Sequence, residues 1–271
     1  MNQKTAFLWI FSFVFTVAIA YYQRKTGPTY PISGKAEIAG QTVKYKLIRT
    51  YGGEDDAEII LENVDQSLKG LVKYKRLGTN DDWTPVEMQR DGRDLKAFLP
   101  HQPPAGKLMY HVALTSGNES VLLNEEPTVI RFKGDVPAWV LIPHIIIMFV
   151  AMMMSTRTGL EALARGKKSY KYALVTLITL FVGGLILGPV VQKYAFGAYW
   201  TGWPFGQDLT DNKTLVAFIF WAIAVWKLFK NPENRTWPVV AMVVLLLVYL
   251  IPHSMFGSSL DYTSGTVVTG K

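Results

Sequence analysis

Two histidines share one tripeptide context, Ile142-Pro143-His144 and Ile251-Pro252-His253, and both stand at the edges of long apolar stretches. A neutral imidazole is a common protein ligand for haem iron and for copper, and ionisable side chains at membrane depth are rare enough to make each a site candidate. A histidine at the membrane interface can equally have only a packing role. Between the two runs an aromatic, glycine-rich loop, Tyr194-Ala-Phe-Gly-Ala-Tyr-Trp-Thr-Gly-Trp-Pro-Phe-Gly-Gln-Asp208, continuing into Leu209-Thr-Asp-Asn-Lys-Thr214. Phe196, Tyr199, Trp200 and Trp203 supply flat faces suited to a planar macrocycle, while Gly197, Gly202 and Gly206 let backbone approach a ligand closely. Tryptophan and tyrosine also gather at membrane interfaces without binding anything. Asp208 and Asp211 are not explained by such a belt, although Asp211 suits the N-cap of a following helix. Met148 lies one helical turn after His144, with Met152, Met153, Met154 and Met255 near in sequence. Thioethers with imidazole suit Cu(I), but methionine is also an ordinary packing residue of apolar helices.

These residues need elements to hold them. Apolar residues cluster in blocks at 6–22, 136–155, 172–191, 214–229 and 237–251. A bilayer core of ~30 Å takes about 20 helical residues, so the blocks predict about five transmembrane helices, the last two needing flanking residues to complete the crossing. The formal charge of +7 is unevenly placed. Residues 23–135 carry 16 Lys/Arg against 16 Asp/Glu, whereas the excess sits at Lys4, in the loop with Arg157, Arg165, Lys167, Lys168 and Lys171, and in the loop with Lys227, Lys230 and Arg235. That is the positive-inside pattern. It predicts a protein of the bacterial inner (cytoplasmic) membrane with its N-terminus inside and its C-terminus outside, and it places both histidines and the aromatic loop at the outer face. No basic stripe interleaved with aromatics points to nucleic acid.

The expected organisation is an N-terminal anchor or signal peptide at 1–27, an extracytoplasmic domain at 28–134, a four-helix transmembrane domain at 135–257 with an aromatic outer loop at 192–213, and an extracytoplasmic tail at 258–271. Residues 35–133 alternate apolar and polar positions in short runs at 42–49, 58–61, 70–76, 95–99, 107–114, 120–123 and 128–132, divided by turn signals such as Gly52-Gly53 and Asp91-Gly92. About 100 residues of this kind predict a β-sandwich of immunoglobulin or fibronectin type, a fold that serves recognition of an envelope protein as readily as spacing. His101 and His111 fall in a turn and a strand with no second ligand at regular spacing, and read as ordinary positions. With no cysteine, the chain has neither disulfides nor an iron–sulfur ligand set.

The run Gly183-Gly184, Ala195-Phe-Gly-Ala-Tyr-Trp200, Asp211-Asn-Lys-Thr214 and Phe220-Trp221-Ala222 resembles the tryptophan-rich region of the haem-handling membrane proteins of cytochrome c biogenesis, the CcsA/CcmC type. In that family an Ala-Trp-Gly-x-Tyr-Trp-x-Trp-Asp-Pro-Lys-Glu-Thr pattern opens a transmembrane helix. Phe196 stands here at the family's first tryptophan, and several residues are inserted between Trp200 and Asp211. The stretch from His144 to Met152 resembles the helix that carries the family's first haem-ligand histidine, and 250–257 resembles the segment that carries the second. The resemblance covers roughly 137–257. It implies a haem cofactor with His144 and His253 as axial, iron-ligating residues, the aromatic loop with Asp211 as platform, and a cytochrome or other envelope protein as partner of 28–134. The alternative is a non-enzymatic membrane scaffold. Hydrolytic and phosphate-binding motifs are absent from the sequence.

Overall fold

The apolar blocks fold as helices longer than the blocks themselves. The computed structural model describes residues 3–253, 255 and 257–269 and divides into a helical unit (Met1–Pro28, Val136–Gly257, Thr269–Lys271) and a β unit (Thr29–Asp135, Ser258–Val268). Ser254 and Phe256 of the second histidine's motif, and 270–271 of the expected tail, lie outside the described residues.

In the helical unit, α1 spans Gln3–Thr26, α2 Ala138–Leu163 and α3 Ser169–Leu180. A π-helical turn at Phe181–Leu187 leads into α4, Gly188–Phe196, and α5 spans Leu209–Lys230. Among the described residues α1, α2, the continuous stretch Ser169–Phe196 and α5 are the 4 helices long and apolar enough to cross a membrane. The fifth expected crossing, α6 at Thr236–Leu250, has only 15 residues. Pro252 accounts for that limit, because it has no N–H for the helix ladder and disfavours helical backbone at the residue before it. Ile251 is accordingly extended, with φ −75° and ψ 115°.

α1 is built into this unit and is more than a tether. Its Ser12 and Thr16 are fully buried, Trp9 packs edge-on against Tyr172 at 5.6 Å, and Phe13 meets Phe149 at 5.8 Å. The core gathers around Trp221 of α5, which is 0% exposed, with Ala151, Ala173, Ala217, Ala224 and Ala241 beside it. Small residues let helix axes approach, and in a lipid setting such packing carries helix association. Gly183 and Gly184 act in the same way: a Cβ on Gly183 would lie 2.9 Å from Met148 Sδ, and one on Gly184 2.7 Å from Thr214 Cγ2.

In the β unit the expected runs become strands, and Ile32–Ile38, Thr50–Gly52, Thr84–Glu87 and Gln89–Asp91 join them. Strand Ile32–Ile38 pairs with Gln41–Leu47 as a hairpin, so strand begins at Ile32, ahead of the first expected run at 42–49. One six-stranded sheet has the order Thr50–Gly52, Thr128–Lys133, Lys107–Ser116, Lys69–Arg76 and Thr84–Glu87, with Glu119–Leu122 also paired to Lys107–Ser116. A three-stranded sheet orders Ala57–Leu61, Asp94–Leu99 and Gln89–Asp91. Alternation sets which face is buried: Leu108, Tyr110, Val112 and Leu114 are all 0% exposed, and Ile59, Leu61, Leu99 and Ile130 share their core.

Residues 258–268 are not a free tail. Ser259–Leu260 and Val267–Val268 form a hairpin whose Leu260 N–H donates to Ala105 O at 2.9 Å. The Tyr262 hydroxyl accepts from Lys107 N–H at 3.0 Å and donates to Lys107 O at 3.1 Å. A hairpin this small has no core of its own. Its hydrogen-bonding groups are met by the strand edge at 105–107 instead.

Candidate functional site

His144 sits in the second turn of α2, half-buried, with Nδ1 2.9 Å from the carbonyl oxygen of Gly183. A carbonyl only accepts, so Nδ1 carries a proton and Nε2 of the neutral ring keeps its lone pair for a ligand. The carbonyl is presented by the π turn, in which Gly188 N–H also bonds to Gly183 O. π turns arise where the regular i to i−4 ladder is interrupted and recur at functional sites. Pro189 supplies the interruption here, since it lacks the donor for residue 185. A histidine fixed through one nitrogen by a backbone carbonyl has the orientation that metal-bound histidines use.

His253 lies beyond α6, exposed, with its ring centroid 6.3 Å from that of Tyr249. It is within electrostatic reach of both His144 and Lys213. Lys213, in the second turn of α5 and only 5% exposed, donates from Nζ to Ile251 O at 2.7 Å. His253, Lys213, Met148 and Tyr249 line a shared cleft with room of only about 10 Å³. That is about the space of one water, so the cleft does not enclose a macrocycle. Among the described residues no group of three or more His, Asp or Glu side chains could hold a metal ion.

The aromatic loop is shorter than the expected 192–213, because residues 192–196 belong to α4 and 209–213 to α5. Asp208, not Asp211, is the N-cap of α5: its Oδ1 accepts from Thr210 N–H at 2.8 Å and from Asp211 N–H at 3.4 Å. Asp211 instead accepts Thr201 N–H at 2.7 Å, and Asn212 Oδ1 accepts Trp203 N–H at 2.6 Å. The loop is thus stitched to the first turn of α5. Only a glycine fits at 202, where a Cβ would come 2.6 Å from Asp211 Cβ. Trp203 (69% exposed) and Tyr199 (59%) present open faces, while Phe196 and Trp200 are half-buried. The structure therefore brings His144, Lys213, Asp211, His253 and the loop to one end of the helices, with Asp211 engaged in holding the loop and neither Trp203 nor Tyr199 lining the cleft at His253.

The opposite end of α2 holds a cluster that hydropathy alone concealed. Arg157, expected in a loop, lies inside α2 and is 1% exposed, with Nη2 2.6 Å from Glu161 Oε2. Its guanidinium lies over Trp9 of α1 at 5.3 Å and over Tyr172 of α3 at 4.9 Å. The helix runs on past residue 155 because the charge has a partner one turn away and aromatic faces on two neighbouring helices. The i,i+4 spacing of Arg157 and Glu161 was the sequence signal for this pair. In the β unit His111 Nδ1 bonds to Asn124 O at 2.9 Å, and His101 packs edge-on against Phe132 at 5.9 Å, both as parts of the β framework.

The helices make this chain a membrane protein that also carries a β-sheet unit. No protein-family model matches it, and neither curated proteins nor solved structures show a significant match.

Proposed function

We propose that the protein is an integral membrane haem-handling factor, related in design to those of cytochrome c biogenesis, with His144 and His253 as axial ligands at one membrane face. The observation that carries this reading is the bond from His144 Nδ1 to Gly183 O, which orients the ring and leaves Nε2 as a ligand atom. The exposure of His253 and of Trp203 and Tyr199 supports a haem bound at the rim of the helices, since the cleft is too small to enclose it. Lys213 favours haem over a bare copper ion: its ammonium lines the same cleft as Met148 and His253, repelling a cation while attracting the carboxylates of a porphyrin. In this reading the helices form a bundle in the bacterial inner membrane with the N-terminus inside, α6 completes its crossing through 251–253, and the two sheets form an extracytoplasmic sandwich that receives a cytochrome or other envelope protein.

Purified protein should show a haem Soret band, and His144→Ala or His253→Ala should each lose most of it, with added imidazole restoring it. His101→Ala and His111→Ala should keep it. Retention of haem by the His144→Ala, His253→Ala double variant would refute axial ligation. The second reading, a scaffold whose β unit recruits a partner, is favoured by the closed cleft. Wild-type protein that neither carries nor takes up haem would establish that reading over the first.

A further inference from the structure

The end of α6 lacks its own means of closure. Pro252 has no N–H to return, and Ile251 is extended, so the last carbonyls need donor partners from elsewhere. Two side chains from other helices meet them. Gln23 of α1 donates from Nε2 to Tyr249 O at 2.8 Å, and Lys213 of α5 donates from Nζ to Ile251 O at 2.7 Å. A cation is also the favourable charge at the negative end of a helix dipole. Gly27, just beyond α1, is buried here too, and a Cβ on it would lie 3.9 Å from Pro252 Cβ.

These contacts fall on Tyr249, Ile251 and Pro252, within the four residues before His253. We infer that Lys213 and Gln23 are positioning residues for His253: together they form a cap in trans that fixes the direction in which the chain leaves α6, and with it the place of the imidazole. α1 thereby has a part in the site although it contributes no ligand. The functional side of this inference rests on His253 being a ligand. The order that the cap imposes on residue 253 does not.

The test exploits the absence of native cysteine. In the full chain in lipid vesicles, His253→Cys bearing a nitroxide should give an immobilised spectrum. Lys213→Met should make the label severalfold more mobile, Lys213→Arg should restore most of the immobilisation, and Gln23→Leu should loosen it less than Lys213→Met. With His253 intact and haem bound, Lys213→Met should shift the spectrum from six-coordinate low-spin toward five-coordinate high-spin iron, and imidazole should reverse the shift. Unchanged label mobility in both Lys213→Met and Gln23→Leu would overturn the inference whatever the haem result. Should Lys213→Met not fold, Gln23→Leu alone decides, with increased mobility supporting the cap and none overturning it. Absence of haem from the wild type would defeat the functional reading and leave the label result to decide this one.

Discussion

The two ends of α2 both hold a polar side chain within an apolar helix, and they treat it in opposite ways. Arg157 is sealed: 1% exposed, paired with Glu161 and covered by Trp9 and Tyr172. His144 is half-open, bonded through one nitrogen to Gly183 O and beside the exposed loop. One carboxylate and two aromatic faces offset part of the cost of this buried charge, although Nε and Nη1 have no hydrogen-bond partner among the described residues, which makes the Arg157 end a fastening among α1, α2 and α3. Leaving one nitrogen of a fixed imidazole unspent is a different use of the same setting. In the proposed function that nitrogen is the ligand atom.

The largest expected effect falls on the sealed end. Glu161→Leu would strand Arg157 without its carboxylate and should cost about 3–5 kcal/mol, whereas Arg157→Met with Glu161→Leu should cost clearly less. Denaturant unfolding in detergent checks this, and equal losses in the two variants would mean that the fastening is not electrostatic. At the open end, Gly202→Ala forces the loop off Asp211 and should cost about 1–3 kcal/mol, with faster proteolysis between 197 and 208 as the readout. His144→Ala should cost only about 1 kcal/mol, the worth of one hydrogen bond, since Gly183 O keeps its bond from Gly188 N–H. A loss as large as that of Glu161→Leu would make His144 a second fastening and erase the contrast.

The smallest effect belongs to the β unit. Burial, with Arg131 nearby, lowers the Lys107 ammonium to about 8. Between that value and the ordinary lysine range the unfolded chain binds the proton that the folded chain has released, so stability rises with pH across this window. Urea unfolding of the β unit should therefore show a higher midpoint near pH 10 than near pH 7.5, and Lys107→Met should flatten that part of the dependence. The experiment needs residues 258–268 as well as 29–135, because Tyr262 satisfies both backbone groups of Lys107.

Much of this was legible along the chain. Alternation located the strands around Val72, Leu99 and Tyr110, because a period of two is a local property of a half-buried ladder. The short strands at Thr50–Gly52 and Gln89–Asp91 were missed, since three residues contain too little pattern and exist only through their partners. Hydropathy located the helices, and Pro252 marked the stop of α6. Of the candidate site, the residues were visible but their duties were not. Asp211 and Asp208 look alike in sequence, and only the path of the loop assigns one to Thr201 and the other to the N-cap. Lys213 passed unnoticed because its acceptor lies 38 residues away.

By itself the sequence determined the membrane class, the helix and strand pattern, the neutrality of 23–135 and the paired histidines, all of which depend on composition and spacing within a few residues. The tertiary structure decided which polar groups are spent and which are left over. It buried Arg157 between Trp9 and Tyr172, turned Gly183 O toward His144, and brought Gln23 and Lys213 to the end of α6. Each of these joins residues on different helices. Their pairing depends on how helix faces pack, a property that no single stretch of chain contains.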